Sequence, residues 1–122
     1  MKLHLTRGEG RNIVTGYGEG YVAINDQRYE RSIMVMPAQP VADWDAARFE
    51  DLEPAHFQAL LALKPEIVLL GTGSTLRFPH PEITRALTDA AIGFEVMDTR
   101  AACRTYNVLM SEGRQVLALI LL

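Results

Sequence analysis

The chain has 122 residues, a length suited to one domain over residues 1–122, and 48% of them are apolar, enough for a core that needs neither disulfide nor metal. The net charge of -3 offers no general field to a polyanion, so nucleic acid is not an expected partner, and a single cysteine, Cys103, excludes an intrachain disulfide and with it a secreted disulfide framework. The longest apolar run, Val116 to Leu122, falls far short of the roughly 20 residues that cross a bilayer, and Met1 to Arg7 lacks an apolar signal core. The expectation is a cytoplasmic, not membrane-spanning chain.

Residues 1–11 read as polar and loose, with at most a short strand at the start. From Asn12 the pattern is β-like: Ile13, Val14, Tyr17, Tyr21, Val22 and Ile24 are strand formers, and Gly16, Gly18 and Gly20 between them imply bulges or close backbone approach. Asn25-Asp26 predicts a hairpin turn and Ser32 to Met36 a short apolar strand closed by Pro37 and Pro40. Pro37 to Glu53 reads as a loop containing Trp44 and several acids.

The period then changes. Pro54 suits the first position of a helix, with Leu52 and Phe57 as a hydrophobic staple and Ala55, Phe57, Leu60 and Leu61 as its buried stripe. Lys64-Pro65 stops it. Glu66 to Leu70 is a buried strand that Gly71-Thr72-Gly73 breaks. Pro81 starts a second helix, with Ile83, Ala86, Leu87, Ala90 and Ala91 inward and Gly93 closing it. Phe94 to Met97 is a strand, Asp98 or Thr99 caps a third helix reaching about Met110, and Arg114 to Leu122 is a last apolar strand. This alternation predicts an α/β fold with parallel strand pairs whose C-terminal ends, at Leu70 and Met97, share the edge where open α/β sheets bind ligands.

Two segments near that edge are candidate sites. Gly71-Thr72-Gly73-Ser74 could let an anion approach free N–H groups, although it lacks the third glycine of a dinucleotide fingerprint and the Gly-Lys-Ser/Thr of a P-loop, and a plain structural turn also explains it. The helix start after Asp98 places Thr99, Ala102, Cys103, Tyr106, Leu109 and Met110 on a core face and Arg100, Arg104 and Asn107 on the opposite one. Two arginines one turn apart repel, so an anion there would stabilise them, and solvation alone is the competing explanation. Cys103 reads as a buried, inert thiol. His4, His56 and His80 lack ligand spacing, so no metal is expected, and no cofactor. Glu50, Asp51 and Glu53 read as helix-capping and solvated acids, and no catalytic constellation is visible, so no enzyme is expected. Trp44 in its proline-bounded loop is a candidate interface aromatic or a core residue.

The order of these pieces resembles a known family: Gly16-Tyr17-Gly18 before a hairpin, Ser32-Ile33-Met34-Val35-Met36-Pro37, Ile67 to Gly73, and Met97-Asp98-Thr99 through Tyr106-Asn107-Val108-Leu109 to Glu112-Gly113-Arg114. The chain is similar, from about Asn12, to the small bacterial and archaeal proteins grouped with the mitochondrial respiratory complex I assembly factor 3. The resemblance implies a three-layer α/β domain around a mixed, mostly parallel five-stranded sheet with one antiparallel strand and an additional N-terminal β-hairpin unit. It implies no reaction or cofactor for the bacterial members. It implies a shared pocket at Gly71, Thr72, Gly73, Asp98, Thr99, Arg104 and Asn107, to which the charge pattern adds Arg100. The leading expectation is a non-enzymatic binding or assembly module for a protein complex, respiratory or membrane-associated, with an unidentified protein partner. The alternative is a protein that binds, or an enzyme that acts on, a small anionic ligand through the Gly71–Gly73 turn and the Asp98–Asn107 helix start.

Overall fold

A computed structural model of the chain describes residues 10–122. The loose segment expected at the N-terminus therefore lies, but for its last two residues, outside the described residues. Strands β1 (Val14–Gly18), β2 (Tyr21–Ile24) and β3 (Gln27–Tyr29) form an antiparallel sheet in chain order. Asn25 and Asp26, at φ 51° and 68°, make the primed two-residue turn that matches strand twist. The register slips between Val14 and Gly16, a bulge at the first of the glycines.

Five further strands form the second sheet: β4 (Ile33–Val35), β5 (Ala42–Asp43), β6 (Ile67–Thr72), β7 (Gly93–Met97) and β8 (Val116–Leu121), ordered β5-β4-β8-β6-β7. β6 is parallel to both β7 and β8, while β4 runs antiparallel to β8 and β5. The sheet is mixed and mostly parallel, with β4 the one reversed strand. β8 and β6 as far as Leu70 are continuously apolar because both of their faces are covered. On β8, Val116, Ala118 and Ile120 join one core with Ile13, Val14, Tyr17, Val22, Ala102, Cys103 and Tyr106; Leu117, Leu119 and Leu121 join the other with Trp44, Leu52, Phe57, Leu60 and Leu87. The period of two along the strand thus sorts its side chains between two layers.

The first layer is helix α3 (Thr99–Ser111) and the three-stranded sheet; the second is α1 (Pro54–Gln58), a 3₁₀ extension (Ala59–Leu63) and α2 (Arg85–Asp89). Asp98 caps α3 by accepting from the Ala101 N–H at 2.9 Å.

Four expectations change. Only Phe57 and Leu60 of the α1 stripe are buried, while Ala55 and Leu61 are exposed, because the chain tightens into a 3₁₀ helix at Ala59 and the apolar face rotates. Gly71 does not break β6, which continues to Thr72. The helix expected from Pro81 begins at Arg85, after a turn, and is closed by Ala91 rather than Gly93, which opens β7. Trp44 is not an interface aromatic: it is 7% exposed and packs edge-on against Phe57 and His56, at centroid distances of 6.0 and 5.8 Å.

Candidate functional site

The two candidate segments meet at the C-terminal edge of the parallel strands. The Thr99 N–H donates to the Gly73 carbonyl at 2.9 Å, and the Gly73 N–H returns a bond to Thr99 Oγ1 at 2.8 Å. Thr99 Oγ1 donates in turn to the Leu121 carbonyl at 2.6 Å, so one hydroxyl ties together the ends of β6 and β8 and the start of α3. Thr72 Oγ1 donates to the Thr75 carbonyl at 2.7 Å and accepts the Arg77 N–H at 3.2 Å, which folds the following loop back on the strand.

This junction floors a cleft of about 570 Å³. Its walls are the β1–β2 turn, a 3₁₀ turn (Phe49–Asp51), the loop after β6 and the start of α3. Thr72, Gly73, Thr99 and Arg100 line it. The other expected site residues do not. Gly71 lies beneath, where a Cβ would come within 3.0 Å of Ala102 Cβ and 3.1 Å of Thr99 Cα, so glycine serves the strand–helix contact. Asp98 is spent on the helix cap. Arg104 stands behind the wall and donates to the Tyr17 hydroxyl at 2.9 Å. Asn107 was expected on the outer face of α3 but is 4% exposed on the inner one. Its Oδ1 accepts the Val14 N–H at 2.9 Å and its Nδ2 donates to the Val14 carbonyl at 2.8 Å, so its amide takes the place of a neighbouring strand. Tyr106 acts beside it, donating to the Asn12 carbonyl at 2.8 Å.

Residues that the sequence did not mark as part of a site complete the cleft. Arg77 donates to Glu50 Oε1 at 3.0 Å and lies 4.2 Å over the Phe49 ring. The Glu50 carboxyl is held below its ordinary pKa, first by its own backbone N–H and then by Arg77. Arg48 approaches Asp51 at 3.5 Å. The one available hint was Arg77 itself, a cation between Leu76 and Phe78 in a segment ended by prolines. Leu76 and Phe78, which flank Arg77 in the chain, are 48% and 71% exposed. Cys103, by contrast, is fully buried and its thiol is pushed up to about 12 by burial, which leaves no thiolate for nucleophilic work. Among the described residues, no group of three or more His, Cys, Asp or Glu is placed to hold a metal, and no helix is long and apolar enough to cross a membrane.

A profile of the DUF498/DUF598 family, described as proteins of unknown function, matches residues 14–121. The chain belongs to this family. A crystal structure of a Bordetella parapertussis protein is 42% identical, covers 92% of this chain and 96% of its own, and superposes with a TM-score of 0.87. A solution structure from Bordetella pertussis, described as a Mth938-like domain, is 35% identical with a TM-score of 0.82, covering 99% of this chain and 92% of its own. Among curated proteins, the NADH dehydrogenase (ubiquinone) 1 alpha subcomplex assembly factor 3 of Bos taurus is 32% identical over 103 residues. That match covers 83% of this chain and 55% of the relative, so the chain spans about half the length of the assembly factors it matches. The 13 kDa major membrane protein of Francisella tularensis is 29% identical over 106 residues, 86% of each chain. The family's relatives thus include proteins named for complex assembly and others named for a membrane.

Proposed function

We propose that the chain is a non-catalytic binding module that helps a respiratory protein complex to assemble, acting from the cytoplasm. The observation that carries this reading is the pair Leu76 and Phe78, large apolar side chains held in water on a loop pinned to the end of β6 by Thr72. A well-anchored loop with an exposed aromatic tip is what a partner protein buries as an anchor. The names of the assembly-factor relatives supply the kind of partner.

The test is a cross-linked affinity purification of the full chain from its native cells, with Phe78→Asp and Val108→Asp beside the unaltered protein. Val108 is also exposed (55%) but lies far along α3 from the loop. The expected result is enrichment of respiratory NADH dehydrogenase subunits by the unaltered chain and by Val108→Asp, and their loss with Phe78→Asp. Equal recovery by all three, or no enrichment of those subunits, contradicts the proposal.

A further inference from the structure

We infer that the cleft is a binding site for a small organic anion that carries one carboxylate or phosphate group on an apolar body. Three guanidinium groups, those of Arg48, Arg77 and Arg100, line it from three different elements, and two carboxylates, Glu19 and Glu50, oppose them. The three arginines are not equivalent. Arg77 is committed to Glu50 and to the face of Phe49. Arg48 has only an exposed contact with Asp51 at 3.5 Å, too solvated to hold it firmly. Arg100 has no hydrogen-bond or acidic partner among the described residues. One helical turn further on, Arg104 holds the Tyr17 hydroxyl, so a fourth guanidinium backs the same wall.

Three cations against two carboxylates leave the lining with an excess of positive charge, which a single bound anion offsets. The backbone is not available to hold it at Gly73, whose N–H is already taken by Thr99. The arginine side chains are the natural contact instead, since a guanidinium fork matches the planar oxygens of a carboxylate or phosphate. Tyr17, Phe49 and Leu121 supply apolar wall for the rest of the molecule. Glu19 and Glu50 set an upper limit on charge, so a polyanion is disfavoured. The volume of about 570 Å³ lies within the range of small-molecule sites.

A matched set of probes tests this independently of the protein partner: benzoate, phenyl phosphate and neutral benzyl alcohol, titrated into the isotope-labelled full chain and followed by amide chemical shifts. The expected result is saturable shifts at Gly73, Ser74 and Arg100 with benzoate or phenyl phosphate and none with benzyl alcohol. The arm that binds identifies the group. Arg100→Gln and Arg48→Gln should each weaken binding by about tenfold, while Arg85→Gln, on α2 and paired with Asp89, should not. The inference is overturned if neither anion shifts these amides, if benzyl alcohol shifts them equally, or if both cleft variants bind as the unaltered chain does. A protein partner that still docks when no anion binds would leave the assembly reading standing.

Discussion

At the scale of single residues, the segment running from Asp98 through Tyr106 and Asn107, which carries much of the family likeness, divides its labour between structure and surface. Asp98 caps α3, Thr99 ties three chain ends together, and Tyr106 and Asn107 hold β1. Of these only Thr99 and Arg100 line the cleft, and Arg100 alone brings a charge to it. Asn107→Leu would strand the N–H and carbonyl of Val14 in a buried place, at about 1–3 kcal/mol for each group left unpaired. We expect a loss of about 2–4 kcal/mol in urea denaturation, whereas Arg100→Gln should leave the midpoint unchanged. Cys103 gives a pH dependence. Its folded pKa of about 12 stands above the unfolded value of 9.0, and burial also raises Tyr106 above its 10.0. The native state then keeps protons that the unfolded chain releases, so this stability is fully present below pH 9 and is lost as pH climbs toward 12. Urea midpoints should fall from pH 9 upward, and Cys103→Ala should lessen that fall; a flat profile would refute it.

At the scale of elements, the ends of α2 and α3 use the same closure with different residues. After α3, the Gly113 N–H bonds the Met110 carbonyl at 3.0 Å and the Arg114 N–H the Leu109 carbonyl at 3.1 Å, with Gly113 at φ 80°. After α2, Ala91 and Ile92 bond Thr88 and Leu87 at 3.0 and 2.9 Å in the same way, but the left-handed position is held by Ala91 at φ 58°. An L side chain there is strained, so Ala91→Gly should stabilise the protein by roughly 0.5–1 kcal/mol, against the usual sign of a glycine substitution. A lowered urea midpoint would contradict this. The same detail explains part of what the sequence concealed. Gly93 looked like the terminator because glycine normally takes this role, and nothing local marked Ala91. β6, β7, β8 and α3 were legible because their periodicities are long and unbroken, and the Asn25-Asp26 turn because its chemistry is specific. The 3₁₀ extension was not, since apolar residues at Leu60, Leu61 and Leu63 fit either helix type.

At the scale of the whole molecule, the meeting of Gly73 with Thr99 followed from the handedness of parallel crossovers, which local pattern can supply. The remaining wall did not. Arg48, Phe49 and Glu50 reach the cleft only because β4 pairs antiparallel with β8, a long-range choice with no signature in either strand. The acids before α1 looked like capping residues, and Glu53 does stand at the N-cap, its backbone N–H donating to His56 Nδ1 at 3.0 Å. Glu50 is instead the partner of Arg77 across the cleft. The molecule therefore carries a basic hollow at one edge of the sheet, with the exposed Leu76 and Phe78 flanking Arg77 of its lining, and the proposed function is located at that edge. Hydrogen–deuterium exchange compared between the free chain and the chain isolated in its native complex tests this directly. Slowed exchange at residues 73–78 and 48–50 is predicted; slowing confined to residues 59–63 or to the Val108 side of α3, with none at the cleft, would contradict it.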